Sequence, residues 1–236
     1  MCGIVGYWNL ESPVFDTIVD SLKRLEYRGY DSFGVSVVSA NFKEKLKIEK
    51  QVGKISDARF NKEIKETKGN IGLGHTRWAT HGKVSEKNTH PHLDCKKRFI
   101  VVHNGIIENF EELKSSLKEN HKFLSETDTE IIPHIIEEVF SDIGDLKQAV
   151  IKTGNKLKGR NAFVVLDSET GEMIAFRNGS PLIIGIEKPY SENKNKVKGV
   201  FIASDIQAFL HKTKEVMYLD DEQIAIINKT PEFFDS

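Results

Sequence analysis

The second residue of the chain, Cys2, carries a thiol, and removal of Met1 ahead of so small a residue would give it the free α-amine as well. Unperturbed, the two groups titrate near about 8.5 and about 8, so the amine can take the thiol's proton directly or through a water. Nucleophile and base would then sit on one residue. Cys is also among the most buried residue types and usually serves as a small hydrophobe, so its position alone decides nothing. Gly3 leaves the site uncrowded and tolerates unusual backbone angles. Ile4, Val5, Tyr7 and Trp8 form an apolar run without a helix start signal, which reads as a buried strand anchoring Cys2.

Four further stretches have the residue types to serve such a nucleophile. In Arg28-Gly29-Tyr30-Asp31-Ser32, Arg28 either caps a helix C-terminus or points to a site. Gly74-His75-Thr76-Arg77-Trp78-Ala79-Thr80-His81-Gly82 leaves a strand end for a loop, where binding groups are held. There Arg77 could grip a carboxylate with two parallel bonds, or it and Trp78 could be an exposed Arg and a ring pinned on the core. His103-Asn104-Gly105 offers an amide and a backbone N–H that suit an oxyanion, worth about 3 kcal/mol per donor in acyl transfer. It is equally an ordinary Asn-Gly turn. Asp128, at a helix start, complements the dipole or meets a substrate ammonium. Arg77 and Asp128 together match the two charges of a free α-amino acid.

The main rival is a metal site. His75, His81, His90, His92, Cys95 and His103 lie in one region, but their spacing fits no standard zinc pattern and no His-Glu-x-x-His is present. No metal and no cofactor are therefore expected. Cys95 is read as structural, and His134 as a solvated group on the polar side of its helix with Glu130, Glu137 and Glu138. Gly69-Asn70-Ile71-Gly72-Leu73-Gly74 has its glycines in the wrong order for a dinucleotide loop, and no nucleophile-elbow serine occurs.

These groups need a framework to hold them. At 236 residues the chain can bury a proper core, and 34 Lys plus Arg against 35 Asp plus Glu leave a net charge of −1, with no basic surplus for nucleic acid. No apolar run is long enough to span a bilayer, and no basic region precedes the short apolar stretch at the start, so neither a membrane nor a secretion signal is expected. Two cysteines make no disulfide framework, which fits the cytoplasm. Asn228-Lys229-Thr230 matches a glycosylation sequon that matters only on secretion. Helical spacing predicts helices over 12–27 (capped by Ser12-Pro13 and closed by Gly29), around 60–64, 109–119, 127–139 and 145–157. Thr127-Asp128-Thr129-Glu130 reads as a capping box. Strands are expected over 34–38, 43–51, 71–75, 99–103, 161–167, 173–177, 182–187, 200–204, 217–219 and 223–228. Residues 76–97 have no periodicity, and so long a structureless stretch is usually functional. Residues 190–198 read as a polar loop. One α+β domain over 1–236 is expected, its strands mostly antiparallel with helices on the sheet faces.

Together, Cys2-Gly-Ile-Val-Gly, Leu25-Glu-Tyr-Arg-Gly-Tyr-Asp-Ser32, Gly74-His-Thr-Arg-Trp-Ala-Thr-His-Gly82, Val102-His-Asn-Gly-Ile-Ile-Glu-Asn109 and Ser125-Glu-Thr-Asp-Thr-Glu130 resemble the glutaminase domain of the glutamine–fructose-6-phosphate aminotransferase family. The likeness extends to Ile202-Ala-Ser-Asp205 and Tyr218-Leu-Asp-Asp221. The opening motif is shared with other class II glutamine amidotransferases, such as amidophosphoribosyltransferase and asparagine synthetase. The resemblance implies the N-terminal nucleophile hydrolase fold, a four-layer αββα sandwich of two antiparallel sheets. It implies hydrolysis of L-glutamine to glutamate and ammonia through a thioester on Cys2, with Asn104 and the Gly105 N–H holding the oxyanion. Arg77 would bind the α-carboxylate and Asp128 the α-ammonium. Thr80 and His81 would line the pocket, Arg28 would position the N-terminus, and Trp78 would lie on a loop that closes on substrate. Family members continue into sugar-phosphate isomerase domains and form homodimers, so such domains, covalently linked or separate, are expected as partners. A glutaminase of another class II enzyme, a His-rich metal hydrolase and a non-catalytic amino-acid-binding domain are the alternatives.

Overall fold

The computed structural model describes residues 2–39, 46–118, 121–189, 196–227 and 231–235. The expectation about Met1, the first three residues of the strand predicted over 43–51, most of the polar loop and the sequon fall outside them. In chain order the elements are β1 (Gly3–Asn9), α1 (Phe15–Arg24), β2 (Ser32–Ser39), β3 (Lys47–Val52), α2 (Lys62–Lys65), β4 (Gly69–Arg77), β5 (His92–Leu93) and β6 (Phe99–Gly105). Then come α3 (Phe110–Ser116), α4 (Ile131–Ile143), α5 (Leu146–Gly154), β7 (Asn161–Asp167), β8 (Met173–Asn178), β9 (Ile183–Glu187), β10 (Gly199–Ala203), β11 (Val216–Tyr218), β12 (Gln223–Ile227) and β13 (Pro231–Asp235).

The strands form two antiparallel sheets, ordered β11-β9-β10-β1-β4-β2-β3 and β13-β12-β8-β7-β6-β5. Alternation along each strand divides its side chains between two layers. From β1, Ile4 and Trp8 enter a core that Ile100 and Val102 of β6 share from the other sheet. Val5 and Tyr7 face the opposite way, onto Ile18 and Leu22 of α1. On the second sheet Phe99 and Val101 meet Ile132 and Ile136 of α4. Helix, sheet, sheet, helix is the expected four-layer sandwich, and each fully buried large apolar side chain stabilises it by about 1.5–3 kcal/mol.

Three local expectations are corrected. Ser12 does not cap α1; it bonds to Asn9, and the helix starts at Phe15 and gives way at Arg24 to a short 3-10 turn, Glu26–Arg28. The capping box does not form either. Asp128–Glu130 is a 3-10 turn, and Glu130 reaches back to the N–H groups of Leu124 and Ser125 instead. His134 is not solvated but fully buried. The periodicity-based reading also missed the two-residue β5, too short to carry a pattern, and β13 (Pro231–Asp235), whose Pro-Glu-Phe-Phe-Asp has no clear alternation.

Candidate active site

The antiparallel register sets Gly3 of β1 opposite Thr76 of β4, so Cys2 lies beside Arg77 and Trp78 where the first sheet ends. β6 ends at the same edge of the second sheet and delivers Asn104 and Gly105. The 3-10 turn ahead of α4 brings Asp128. All nine residues singled out from the sequence line one cavity of about 390 Å³, a size usual for small-molecule sites.

The Cys2 sulfur accepts the Trp78 N–H at 3.2 Å and lies 3.5 Å from the Trp78 carbonyl oxygen. Burial pushes the thiol up from its ordinary value, offset in part by the Trp78 N–H and by the positive charges of Arg77 and Arg28. The Cys2 carbonyl is held from two sides, by Arg28 Nε at 3.2 Å and by Asn104 Nδ2 at 3.0 Å. Arg28 is in turn ion-paired with Asp205 at 2.9 Å. This clamp fixes the backbone at Cys2.

Asn104 is oriented from behind. His75 Nε2 lies 3.1 Å from both Asn104 Oδ1 and the His103 carbonyl oxygen, so it is the donor to both. With its oxygen taken, the amide turns its nitrogen toward Cys2, and its second N–H is free of the Cys2 carbonyl. Gly105 follows with φ +146, and a Cβ there would lie 2.2 Å from the Arg160 carbonyl oxygen, so the position admits only glycine.

Asp31 accepts the Ala79 N–H at 2.9 Å and ties down the loop that leaves β4. Gly29 makes this possible, since a Cβ would come within 2.8–2.9 Å of the Arg77–Trp78 backbone. The Trp78 ring is half-exposed against Tyr30. Arg77 turns its guanidinium to the carbonyl oxygens of His81, Gly82 and Lys83, which leaves two of its five N–H groups for another acceptor. Asp128, buried, accepts the Ile107 N–H at 2.8 Å. Sequence reading gave no pocket role to Thr129, Glu108 and Arg160, although Glu108 and Thr129 lie within the quoted motifs, because nothing local shows which motif residues face the cavity.

The histidines of the rival metal reading divide. His75 and His90 stack at 4.0 Å, with His92 edge-on to His90 at 4.8 Å. Their nitrogens serve hydrogen bonds: His92 to Thr127, His103 to Thr129 and Asn161, and His90 as acceptor of the His103 N–H. Cys95 stands apart, on the turn between β5 and β6.

Burial holds all four rings toward the neutral form, with His75 pushed down to about 3, His90 and His92 well below the usual imidazole range, and His103 lowered. The unfolded chain takes up these protons near pH 6.5 and the native state refuses them. The stabilisation is therefore complete above about pH 6.5 and falls as pH drops, by up to about 1.4 kcal/mol per pH unit for each histidine. Urea unfolding at a series of pH values between about 7 and 5, above the carboxylate range, should show that fall. A flat profile would mean that the rings are charged or solvated in the native state.

A sequence profile described as "Glutamine amidotransferase domain" matches residues 34–232. The chain is 49% identical over 229 residues to glutamine–fructose-6-phosphate aminotransferase [isomerizing] of Aquifex aeolicus, covering 95% of this chain and 36% of that protein. It is 46% identical over 231 residues to the protein of the same name from Pyrococcus horikoshii, covering 97% and 36%. The chain thus spans about a third of the length of these relatives. Among solved structures, glutamine phosphoribosylpyrophosphate amidotransferase from B. subtilis superposes with a TM-score of 0.79 at 27% identity, over 99% of this chain and 49% of that one. An allosteric regulatory enzyme of purine biosynthesis gives 0.80 at 28%, with the same coverage.

Proposed function

We propose, from the premise that this chain belongs to the glutamine amidotransferase domain family, that residues 1–236 act as one unit that hydrolyses L-glutamine to glutamate and ammonia. The observation that carries this reading is the convergence of Cys2, Asn104, Gly105, Arg77 and Asp128, from separate segments, on one cavity. Removal of Met1 frees the Cys2 amine. That amine takes the thiol proton as the sulfur attacks the side-chain amide carbon of glutamine. The Asn104 amide and the Gly105 N–H stabilise the oxyanion. The ammonium then returns its proton to the departing ammonia, and water cleaves the thioester with the amine again as base. Arg77 takes the α-carboxylate and Asp128 the α-ammonium. Thr80 and His81 wall the pocket, Arg28 fixes the N-terminus, and the half-exposed Trp78 closes over bound glutamine.

The length of the relatives supports a wider reading, that this unit supplies ammonia to sugar-phosphate isomerase domains that convert fructose 6-phosphate to glucosamine 6-phosphate in a homodimeric enzyme. Among the described residues no helix is long and apolar enough to cross a membrane, which agrees with a cytoplasmic location.

Incubation with an electrophilic glutamine analogue, followed by peptide mass spectrometry, tests the core of this. A single adduct on Cys2 is expected, and an adduct elsewhere, or none, would overturn it. The zwitterion assignment has its own check. Asp128→Asn keeps an acceptor for the Ile107 N–H but loses the charge. It should raise KM for glutamine by roughly 10- to 150-fold, the worth of about 1.5–3 kcal/mol for a charged hydrogen bond. An unchanged KM would remove Asp128 from that role.

A further inference from the structure

Away from the cavity, four side chains from three segments point their donor atoms at one spot. They are Cys95 on the turn between β5 and β6, His121 in the segment before α4, and His134 and Glu137 of α4. The four ligand atoms all lie within 4.8 Å of one another. Cys95 Sγ is 3.7 Å from His121 Nδ1 and 3.6 Å from His134 Nδ1, and the two Nδ1 atoms are 3.1 Å apart. Glu137 Oε2 is 3.5 Å from His121 Nδ1 and 3.9 Å from His134 Nδ1. A zinc ion with Zn–N near 2.0–2.1 Å and Zn–S near 2.3 Å has tetrahedral edges of about 3.3–3.6 Å. The five measured edges scatter about that range.

The surroundings agree with the edges. His121 turns its other nitrogen, Nε2, onto Glu138 at 3.1 Å. His134 turns Nε2 toward Glu130 at 3.9 Å, and that buried atom has no hydrogen-bond partner. Imidazoles that bind metal commonly present their second nitrogen to a carboxylate, as His121 does, which fixes the tautomer. If each Nε2 keeps its hydrogen, two ring lone pairs, the Cys95 sulfur and a carboxylate that also accepts the Cys95 N–H at 3.2 Å converge across 3–4 Å, a donor set that a cation between them would satisfy. The Lys122 N–H points at the Cys95 sulfur at 3.5 Å, as N–H groups do toward a thiolate ligand.

We propose that Cys95, His121, His134 and Glu137 form a zinc site, closed by four protein ligands and therefore structural rather than catalytic. The thiolate and imidazole donors favour a borderline-soft ion over magnesium or calcium. The ion would staple the 94–98 turn and the segment around His121 to α4, whose leading turn carries Asp128. Local motif reading does not find this set, because Cys95, His121 and His134 are separated by 26 and 13 positions along the chain.

The test uses Cys2→Ala protein, so that the other thiol cannot bind metal and the result does not depend on glutaminase activity. Dialysed against Co2+, it should retain one ion per chain, with d–d bands of tetrahedral intensity and a thiolate-to-cobalt charge-transfer band. Zn2+ should displace the cobalt. Cys95→Ser should abolish the charge-transfer band and weaken binding about a hundredfold or more, since loss of outer-shell partners alone costs 10–100-fold. The Cys95 side chain is exposed, so this variant should fold. Glu137→Gln should keep the band with weaker binding, and the circular dichroism of both variants should stay native. No retained metal, a six-coordinate spectrum, or a spectrum indifferent to Cys95→Ser would overturn the proposal.

Discussion

Protein that begins at Cys2 is expected to hydrolyse glutamine, and protein that retains Met1 is not. A positioned general base contributes roughly 10²–10⁴-fold, so its loss alone should carry the rate close to background. The structure makes the loss severe. Burial pushes the Cys2 thiol up, so little thiolate forms without a base at hand, and the nearby cations offset only part of that cost. With Met1 in place the amine sits one residue too early, and the Cys2 nitrogen is an amide that cannot take a proton. Cys2→Ala, which removes the proposed nucleophile, should show only the uncatalysed rate while leaving the clamp on its carbonyl intact. Ammonia release measured on both forms, with the N-terminus established by mass spectrometry, decides the matter. Turnover by protein shown to keep Met1 would refute the role of the amine.

Asn104→Ala should lower kcat by about 10²–10³-fold, the cost of removing one oxyanion donor. KM should change much less, because the amide meets a charge that exists only while the tetrahedral intermediate forms. A second consequence distinguishes this from a simple lost contact. Asn104 Nδ2 also holds the Cys2 carbonyl, and Asn104 Oδ1 accepts from the buried His75. His75 would keep only the His103 carbonyl as partner. Stability should therefore fall by about 1–3 kcal/mol, the cost of stripping a partner from a buried polar group. His75→Ala should reproduce part of the kcat loss without touching substrate, since it frees the amide to rotate. Steady-state kinetics with urea unfolding of the two variants provides the check. A kcat unchanged in Asn104→Ala would show that the oxyanion is held elsewhere.

The same pair of residues shows where sequence reading reaches and where it stops. Asn104-Gly105 was legible as a donor pair or as a turn, and nothing local favoured either. The φ of Gly105 and its close approach to Arg160 require glycine there, and both depend on how β6 pairs with β7. The role of His75 was not legible at all, because it acts through a residue 29 positions away. Thr127 and Glu130 mark the opposite failure. Their spacing matches a capping box, yet each found a better partner outside its own turn, Thr127 at His92 and Glu130 at the 124–125 backbone.

What the sequence determined by itself is what near neighbours along the chain can enforce. Alternation of branched apolar residues sets the strands and which of their faces are dry, and 3.6-residue spacing sets α4 and α5. The residue types of the motifs set which chemistry is available. Only the tertiary structure decided that these motifs share one cavity, because sheet register brings Cys2 to Arg77, and the stacking of two sheets brings it to Asn104. It also decided that His134, on a face of α4 read as polar, is buried beneath Cys95 and His121. Helical periodicity cannot tell a solvated polar face from one that packs against other polar groups. Contacts across dozens of residues leave no local signature, and it is those contacts that turn suitable residues into a site.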